Sequence, residues 1–591
     1  MQFLSVALLA ISGLGSFAEA AKKCKCIPGD PCFPSQATWN AFGRTLSRPL
    51  ISNQLPFASV CYNTSSNFNP SQCDAVRREE FDASTLASLP NTVQLINFEE
   101  LAVNGTVLAC PSDPAPGDVC HQGRVPSYAI NVTTVTDIQK TITFASKYNL
   151  HLVVKNTGHE LLGRSFGMGS VELFTHNMKK IQFFDSFVPE KAPRGTPAQF
   201  AVTIQPGVNW LELYTAADQH GRLVAGGYSV GGTVGAGGGW PIGGGHSILS
   251  PYYGLGADNI LQFTVVLPDA SHVTANAYEN PDLFFALRGG GGPSFGVVTS
   301  LTYKTHPSIP FTGAFYTATA NSSESFLELM TLWIQHHNGL SDAGWGGVWP
   351  FTTDTLFLTL TAQGSPPTSP TAQSALNSFF NESANLAGVN VSLAITVPYK
   401  SYQEFFIDNL VDTSLGHGLN YSSFHVSGTR VHSASWLMPR TLTSPGNATI
   451  LAKAITTAIP SGAPFMVGGG VAANVSTDAA AIAPAFRRTI SDMTIICPFN
   501  ETKSASDVQA AKEACHQQIL PVRSLSPPQA DGGQYLNEAD LLEEDWQLAQ
   551  WGTNYPRLLS IKKKIDPHDL FIVYHGVNSE GWDSESVCKS T

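Results

Sequence analysis

The chain has 591 residues with a formal net charge of −12, and 43% of its residues are apolar while only 13% are charged. This composition excludes a disordered protein, and the acidic balance argues against nucleic acid as a partner because phosphates select basic surfaces. The length is enough for two lobes, each with a large core.

The first twenty residues have the pattern of a secretory signal peptide. An apolar stretch from Phe3 to Leu14 precedes Ala18-Glu19-Ala20, which fits a small-x-small cleavage site. That stretch is too short to span a membrane, and no later segment has the roughly 18 consecutive apolar residues that a span requires. Ten Asn-x-Ser/Thr sequons agree with secretion. We therefore expect an extracellular glycoprotein with no membrane partner.

Residues 21–120 form a segment rich in Cys, Pro and Asn, with little periodicity. Seven of the ten cysteines precede residue 121, and Cys24, Cys26 and Cys32 have a loosely zinc-like spacing. An oxidising compartment favours disulfides over metal, so no metal site is predicted. Further candidate partners are Cys61, Cys73, Cys110 and Cys120, and the connectivity stays open.

From residue 121 to 308, strands alternate with helices. Thr136 is the predicted N-cap of a helix that turns Ile138 and Ala145 to one face. A strand over His151–Val154 follows, and further strands are predicted at residues 200–205 and 260–267. The densest glycine tract of the chain, residues 226–245, lies between those two.

The rest of the chain divides at about residue 530. Residues 309–530 predict a separate α+β lobe, which includes a strand from Thr355 to Thr361. Residues 531–591 close the chain with a segment dense in aromatic and polar side chains.

The strand that ends at Val154 runs into the loop Lys155-Asn-Thr-Gly-His159-Glu-Leu-Leu-Gly163-Arg-Ser165. Such a loop offers consecutive backbone N–H groups to an anion, which suits a pyrophosphate. Taken by itself, a histidine in such a loop is more often a buried or turn residue than a ligand to a cofactor.

Two further blocks accompany this loop. One is the glycine tract Gly231-Gly-Thr-Val-Gly235-Ala-Gly-Gly-Gly-Trp-Pro-Ile-Gly-Gly-Gly-His246, with its continuation to Asn259 and the related segment from Asp282 to Val298. Glycines at this density let the backbone pack flat against a planar ring system. The other block begins Tyr535-Leu-Asn537-Glu-Ala-Asp540 near the C-terminus.

Together these blocks resemble the vanillyl-alcohol-oxidase type of FAD enzyme, in its berberine-bridge-enzyme-like branch. The resemblance covers roughly residues 120–310 and 530–582, and with the Cys-rich start it is similar to secreted fungal isoamyl-alcohol-oxidase-like proteins. It implies an α+β fold: a two-lobed PCMH-type FAD-binding domain, an inserted antiparallel-sheet substrate domain, and a C-terminal segment that returns to the flavin lobe.

The resemblance also implies how the cofactor is held. In this group the loop histidine is bonded to the 8α-methyl of the flavin, which predicts covalent FAD through His159. Many relatives carry a cysteine bonded to flavin C6 where this chain has Gly231, so a single link is predicted. Val234 aligns with the position whose small side chain admits oxygen to the flavin, which favours an oxidase over a dehydrogenase.

The residues that the resemblance assigns to FAD binding are Lys155, Asn156, Thr157, Gly158, His159, Gly163, Arg164, Ser165, Gly231, Thr233, Val234, Gly235, Gly238, Gly239, Gly244, His246, Asp258, Asn259, Val298 and Asn537. The catalytic base is open, with Tyr535, Tyr128 and His425 as candidates.

The predicted function is that of a secreted FAD-dependent oxidase. It oxidises a small alcohol, hydroxy or related group by hydride transfer to flavin N5, with O2 as acceptor and H2O2 as product. A flavin-dependent cyclase or dehydrogenase of secondary metabolism is one alternative, and a non-catalytic secreted glycoprotein is another. The expected partners are the substrate and O2, and a monomer is favoured over an oligomer.

Overall fold

The computed structural model describes residues 23–412, 414, 417 and 426–589. The predicted signal peptide, residues 1–20, and the candidate base His425 lie outside the described residues. Where residues are described, no helix is both long and apolar enough to cross a membrane.

The strands, in chain order, are β1 (Lys23–Cys24), β2 (Ile51–Ser52), β3 (Leu101–Val103), β4 (Thr106–Leu108), β5 (Tyr128–Asn131), β6 (Leu152–Lys155), β7 (Val171–Phe174), β8 (Ile181–Phe187), β9 (Gln199–Ile204), β10 (Arg222–Leu223), β11 (Ile260–Val266), β12 (His272–Asn276), β13 (Val297–Lys304), β14 (His306–Pro307), β15 (Phe311–Ala320), β16 (Gly346–Val348), β17 (Thr355–Gln363), β18 (Val389–Tyr399), β19 (Val431–Pro439), β20 (Phe465–Met466), β21 (Thr489–Pro498) and β22 (Cys588–Lys589). The helices are α1 (Gln36–Gly43), α2 (Pro70–Glu79), α3 (Ala83–Ser88), α4 (Val135–Lys147), α5 (Trp210–Gln219), α6 (Ser250–Tyr253), α7 (Pro281–Ala286), α8 (Ser323–Asp342), α9 (Ala372–Ala384), α10 (Tyr402–Phe406), α11 (Ala448–Ala458), α12 (Gly470–Ala473), α13 (Ala505–Leu525), α14 (Trp546–Trp551) and α15 (Tyr555–Ile565).

The first half of the flavin lobe is a small mixed sheet in the order β2-β5-β7-β6, with β5 and β6 both parallel to β7. Helix α4 covers it with Ile138, Ile142 and Ala145, as predicted. The N-cap is Thr134, not Thr136, because the hydroxyl of Thr134 accepts a hydrogen bond from the backbone N–H of Asp137.

The second half of the flavin lobe is a five-stranded antiparallel sheet in the order β12-β11-β13-β9-β8. Helix α5 begins in a capping box, in which Asn209 and Glu212 each accept a hydrogen bond from the other residue's backbone N–H. Trp210 opens this helix and is completely buried, and an added Cβ at Gly226 would lie 2.0 Å from its ring. The glycine tract therefore packs directly on α5.

The second lobe contains a seven-stranded antiparallel sheet in the order β18-β15-β17-β16-β20-β21-β19. Helices α8 and α13 pack against this sheet, and α11 packs against both of these helices. Fully buried tryptophans, Trp333, Trp349 and Trp436, fill the space between them. The predicted α+β class with an antiparallel substrate sheet is confirmed.

The C-terminal segment packs back onto the flavin lobe. Trp551 donates its indole N–H to the carbonyl of Gly289, and the ammonium of Lys562 donates to the carbonyl of Ser294. Strands β1 and β22 pair antiparallel, so the two ends of the described chain lie side by side.

Every cysteine is in a disulfide, and the connectivity that the sequence left open is now defined. The pairs are Cys24–Cys588, Cys26–Cys32, Cys61–Cys73, Cys110–Cys120 and Cys497–Cys515. The first pair joins the paired termini. Three others are local staples in the N-terminal segment, where the apolar core is thin.

Candidate functional site

A long cavity lies between the flavin lobe and the second lobe. Its walls come from the loop after β6, the glycine tract, the segment before β13, strand β21, and the C-terminal segment. These segments are far apart in sequence, and the fold brings them together at one place.

The loop after β6 forms one wall with Asn156, Thr157, Gly158 and His159. The loop turns at Gly158, whose φ of +76° is the left-handed region that favours glycine. The carboxylate of Glu160 then accepts hydrogen bonds from the backbone N–H and the guanidinium of Arg164. This ion pair fixes the end of the loop.

His159 is oriented by the glycine tract. Its Nε2 is hydrogen-bonded to the hydroxyl of Thr233, at a distance of 2.7 Å between Nε2 and Oγ1. This contact holds the imidazole in one orientation at the cavity wall.

The glycine tract supplies a flat wall. Gly235, Gly238 and Gly239 line the cavity beside Val234. An added Cβ at Gly235 would lie 2.4 Å from the side-chain nitrogen of Asn156, whereas one at Gly239 would meet nothing within 4 Å. Because Gly235 has no side chain, the glycine tract can contact the loop after β6, and because Gly239 has none, the space in front of it stays open.

Several polar atoms on the cavity wall have no hydrogen-bond partner among the described residues. They are Oδ1 of Asn156, Nη1 of Arg164 and Oγ of Ser229. Buried polar atoms are normally satisfied, so this set indicates a polar ligand. A flat glycine wall, unsatisfied donors and acceptors, and an oriented imidazole together fit FAD.

The opposite end of the cavity carries titratable groups. His246, Tyr535, Asn537 and Glu538 line it. Nε2 of His246 lies 3.1 Å from Oε1 of Glu538, and the amide of Asn537 donates to the Tyr535 hydroxyl at 2.6 Å. Burial lowers the pKa of His246, but the nearby carboxyl groups of Glu538 and Asp492 outweigh this and raise it.

Fourteen of the sequence-predicted residues line this cavity. They are Asn156, Thr157, Gly158, His159, Arg164, Ser165, Val234, Gly235, Gly238, Gly239, His246, Val298, Tyr535 and Asn537. Thr233 is the neighbour that holds His159.

Lys155 points away from the cavity. Its ammonium donates to the carbonyl of Leu89 and lies 4.6 Å from the centre of the Phe174 ring. Burial lowers its pKa to about 8, although Glu172 and Glu99 partly oppose this. Lys155, which the resemblance assigned to FAD binding, therefore has its ammonium inside the protein and not at the cavity.

Three predicted glycines are also absent from the cavity wall. An added Cβ at Gly163 would lie 2.4 Å from the Phe98 ring, and one at Gly244 would lie 2.5 Å from Ile482. These two allow close packing between segments. Gly231 has a φ of +68°, and its Cβ position meets nothing closer than 3.8 Å.

Asp258, Asn259 and Tyr128 have other partners as well. Asp258 forms a buried, two-pronged ion pair with Arg487, and the amide of Asn259 donates to backbone carbonyls. Tyr128 stacks on Trp39 at 4.1 Å between ring centres. The structure places none of the three at the cavity, so Tyr128 is in no position to act on a substrate bound there.

The sequence analysis missed two carboxylates, Glu538 and Asp492. Glu538 directly follows Asn537 in a block that was otherwise noted. Asp492 is a single charged residue in the middle of an apolar strand, β21, and such a residue is costly to bury without a reason. The position of this one charged residue in an apolar strand was the sequence feature that could have identified Asp492.

Family models match two parts of the chain. One is described as an FAD binding domain and matches residues 126–276, and the other is described as berberine and berberine-like and matches residues 534–578. The matched ranges include the loop after β6, the glycine tract and the C-terminal segment, which are three of the five parts of the cavity wall.

Two fungal relatives match nearly the whole chain. An FAD-linked oxidoreductase of Arthroderma benhamiae is 34% identical and covers 99% of both chains. The VAO-type flavoprotein oxidase VAO615 of Thermothelomyces thermophilus is 32% identical and covers 99% of this chain and 98% of its own.

Solved structures agree with this match. The crystal structure of the VAO-type flavoprotein MtVAO615 from Myceliophthora thermophila superposes with a TM-score of 0.84 at 28% identity, over 96% of this chain and 100% of that one. A glucooligosaccharide oxidase from Acremonium strictum, described as holding 6-S-cysteinyl, 8α-N1-histidyl FAD, shares the fold at a TM-score of 0.60 and 20% identity, over 76% and 91%.

Proposed function

The chain belongs to the VAO-type, berberine-bridge-enzyme-like FAD-linked oxidoreductases, and from this we propose that it is a secreted oxidase with FAD bonded to His159 alone. It oxidises a small alcohol or related hydroxy compound and releases hydrogen peroxide. The observation that carries the proposal is the cavity in which the oriented imidazole of His159 meets the flat glycine wall.

The contact between His159 and Thr233 supports a covalent bond through His159, because the Thr233 hydroxyl holds the imidazole in one orientation at the cavity wall. Gly231 offers no sulfur for a second bond. The resulting protein has one link where the glucooligosaccharide oxidase named above has two.

Oxygen as the electron acceptor is supported by Val234. Its compact side chain lines the cavity beside Gly235, Gly238 and Gly239. Two features support secretion: five disulfides, which persist in oxidising compartments, and the ten sequons.

Several residues of this chain would hold the cofactor. Bound flavin supplies the two-electron acceptor. Asn156, Arg164 and Ser229 satisfy polar atoms of the cofactor, and His159 anchors it against loss.

The first experiment tests cofactor and linkage. Acid-precipitated wild-type protein is expected to keep its yellow chromophore, and His159→Ala is expected to release it into the supernatant. His176→Ala is a matched control, because His176 lies near the same loop but is not on the cavity wall. Free flavin in the wild-type supernatant would contradict the covalent link.

The second experiment tests the acceptor and the substrate class. The secreted protein is offered a panel of primary alcohols, including benzyl and isoamyl alcohol, and of sugars and hydroxy acids, with peroxide release as the readout. We expect peroxide in equal amount to the carbonyl product. Reduction of the flavin by a substrate without peroxide in air would instead identify a dehydrogenase.

A further inference from the structure

Two carboxyl groups and one imidazole meet at the end of the cavity that faces the second lobe. His246 comes from the end of the glycine tract, Asp492 from the middle of β21, and Glu538 from the C-terminal segment. Nε2 of His246 lies 3.1 Å from Oε1 of Glu538 and 3.9 Å from Oδ2 of Asp492. At these distances the charge on each group affects the protonation of the other two.

The two carboxyl groups have different surroundings. Glu538 faces two hydrogen-bonding groups, since Oε1 meets His246 and Oε2 accepts from the hydroxyl of Thr494 at 2.8 Å. Asp492 is completely buried, and neither of its oxygens has a donor in the described part of the chain. A negative charge is therefore far better supported on Glu538 than on Asp492.

The two carboxyl groups also differ in their position relative to the cavity. Glu538 lies on the cavity wall with 17% of its side chain exposed, whereas Asp492 lies behind it with 0% exposed. In the sheet, Asp492 pairs with Leu437 on one side and Phe465 on the other, which offer it no polar side chain. A bound substrate can reach Glu538 but not Asp492.

On the basis of the oxidase function proposed above, we propose that Glu538 is the catalytic base, and that it stays anionic because Asp492 keeps a proton. The substrate hydroxyl gives its proton to the carboxylate of Glu538, and the carbon that bears this hydroxyl loses a hydride, for which bound FAD would be the acceptor. The carbon is thereby oxidised by two electrons to a carbonyl. O2 takes up the two electrons together with two protons, one from the hydride and one from Glu538, and leaves as H2O2, so that Glu538 returns to the carboxylate.

Burial supports this division of charge. It raises the pKa of Asp492, and the charge of Glu538 raises it further, while His246 opposes the shift. Tyr535, the other candidate on the same wall, is a poor proton acceptor. Its pKa is raised well above the ordinary value by burial and by Glu538, so its hydroxyl is neutral and accepts a hydrogen bond from Asn537.

The first test needs no substrate. Infrared spectra of the FAD-loaded wild-type protein at neutral pH are compared with those of Asp492→Asn and Glu538→Gln. We expect Asp492→Asn to lose a carbonyl band of a neutral carboxylic acid, and Glu538→Gln to lose only carboxylate bands. Glu99 and Glu172, whose pKa values burial raises to about 8, contribute equally to all spectra and cancel in the differences.

Two results would overturn the assignment. In the difference spectra against wild type, the neutral-acid band could be lost in Glu538→Gln but not in Asp492→Asn, or it could be lost in neither variant. If Asp492→Asn does not fold, the comparison uses Thr494→Val, which removes a hydrogen-bond donor from Glu538 without changing a charge. A neutral-acid band that persists in Thr494→Val and disappears in Glu538→Gln would belong to Glu538 and would contradict the proposal.

The second test measures turnover as peroxide release with benzyl alcohol as the probe. Glu538→Gln is expected to lower kcat by about 10²- to 10⁴-fold with its covalent flavin retained. Tyr535→Phe is expected to lower kcat by less than Glu538→Gln does, and the surface control Glu382→Gln is expected to leave kcat unchanged. A larger loss in Tyr535→Phe than in Glu538→Gln would overturn the proposal.

The two tests keep this proposal separate from the oxidase function. Wild-type protein that precipitates colourless, or that yields no peroxide with any of the alcohols, sugars and hydroxy acids, refutes the proposed function. The infrared spectra still decide which carboxyl group carries the charge.

Discussion

The ion pair between Asp258 and Arg487 tests whether a residue of the glycine block serves the cofactor or the fold. Both oxygens of Asp258 accept hydrogen bonds from the Arg487 guanidinium at 2.7 Å, and the two side chains are 8% and 3% exposed. Arg487 lies just before β21, so the pair connects the flavin lobe to the seven-stranded sheet. We therefore expect Asp258→Ala to reduce stability and leave flavin content unchanged.

The magnitude follows from the burial. Removing one partner of a buried ion pair leaves an uncompensated charge, at a cost of about 3–5 kcal/mol. An unfolding entropy of about 2.1 cal/mol/K per residue over 591 residues is about 1.2 kcal/mol/K, so Tm falls by about 2–4 °C.

The assay is thermal unfolding followed by circular dichroism, with flavin absorbance measured on the same preparation. The matched control is Asp185→Ala, because Asp185 also pairs with an arginine, Arg222, but is 88% exposed. Its Tm should change by less than about 1 °C. Loss of flavin from Asp258→Ala at an unchanged Tm would refute this reasoning and return Asp258 to the cofactor site.

Two further outcomes are expected. Gly231→Cys in a His159→Ala background should restore acid-stable flavin, since the added Cβ meets nothing within 3.8 Å and the left-handed backbone costs only about 1–2 kcal/mol; a colourless precipitate would contradict this. His337 is fully buried with its pKa lowered from 6.5 to about 4, so the folded protein holds it neutral while the unfolded chain protonates it first. Its contribution to stability is therefore lost as the pH falls from about 6.5 to about 4. The difference in urea midpoint between wild type and His337→Gln should narrow over that range, and a constant difference would contradict the shift.

The cofactor side of the cavity was predictable because it is built from continuous stretches of chain. The loop from Asn156 to His159 and the tract around Gly235 have local backbone geometry that their own residues impose, and each appears as an unbroken block. The location of Val234 at the cavity was predictable for the same reason, because it lies within such a block.

Charged residues inside those same blocks were less predictable. Lys155 and Asp258 stand where a ligand contact was expected, but their partners are the carbonyl of Leu89 and the guanidinium of Arg487. Sequence pattern gives the position of a charge along the chain, and only the packing of distant segments gives its partner. Thr134 and Thr136 illustrate the same limit locally, since either could cap α4 and the backbone conformation selects the first.

The family, the α+β class and the loop that presents His159 could be predicted from the sequence alone, because they depend on local patterns of glycine, strand and turn. Tertiary structure decided the disulfide pairs and the meeting of His246, Asp492 and Glu538 at one end of the cavity. Those three residues come from the glycine tract, an inner strand and the C-terminal segment. Burial and hydrogen-bond donors, which divide the charge between the two carboxyl groups, exist only after those segments have packed together.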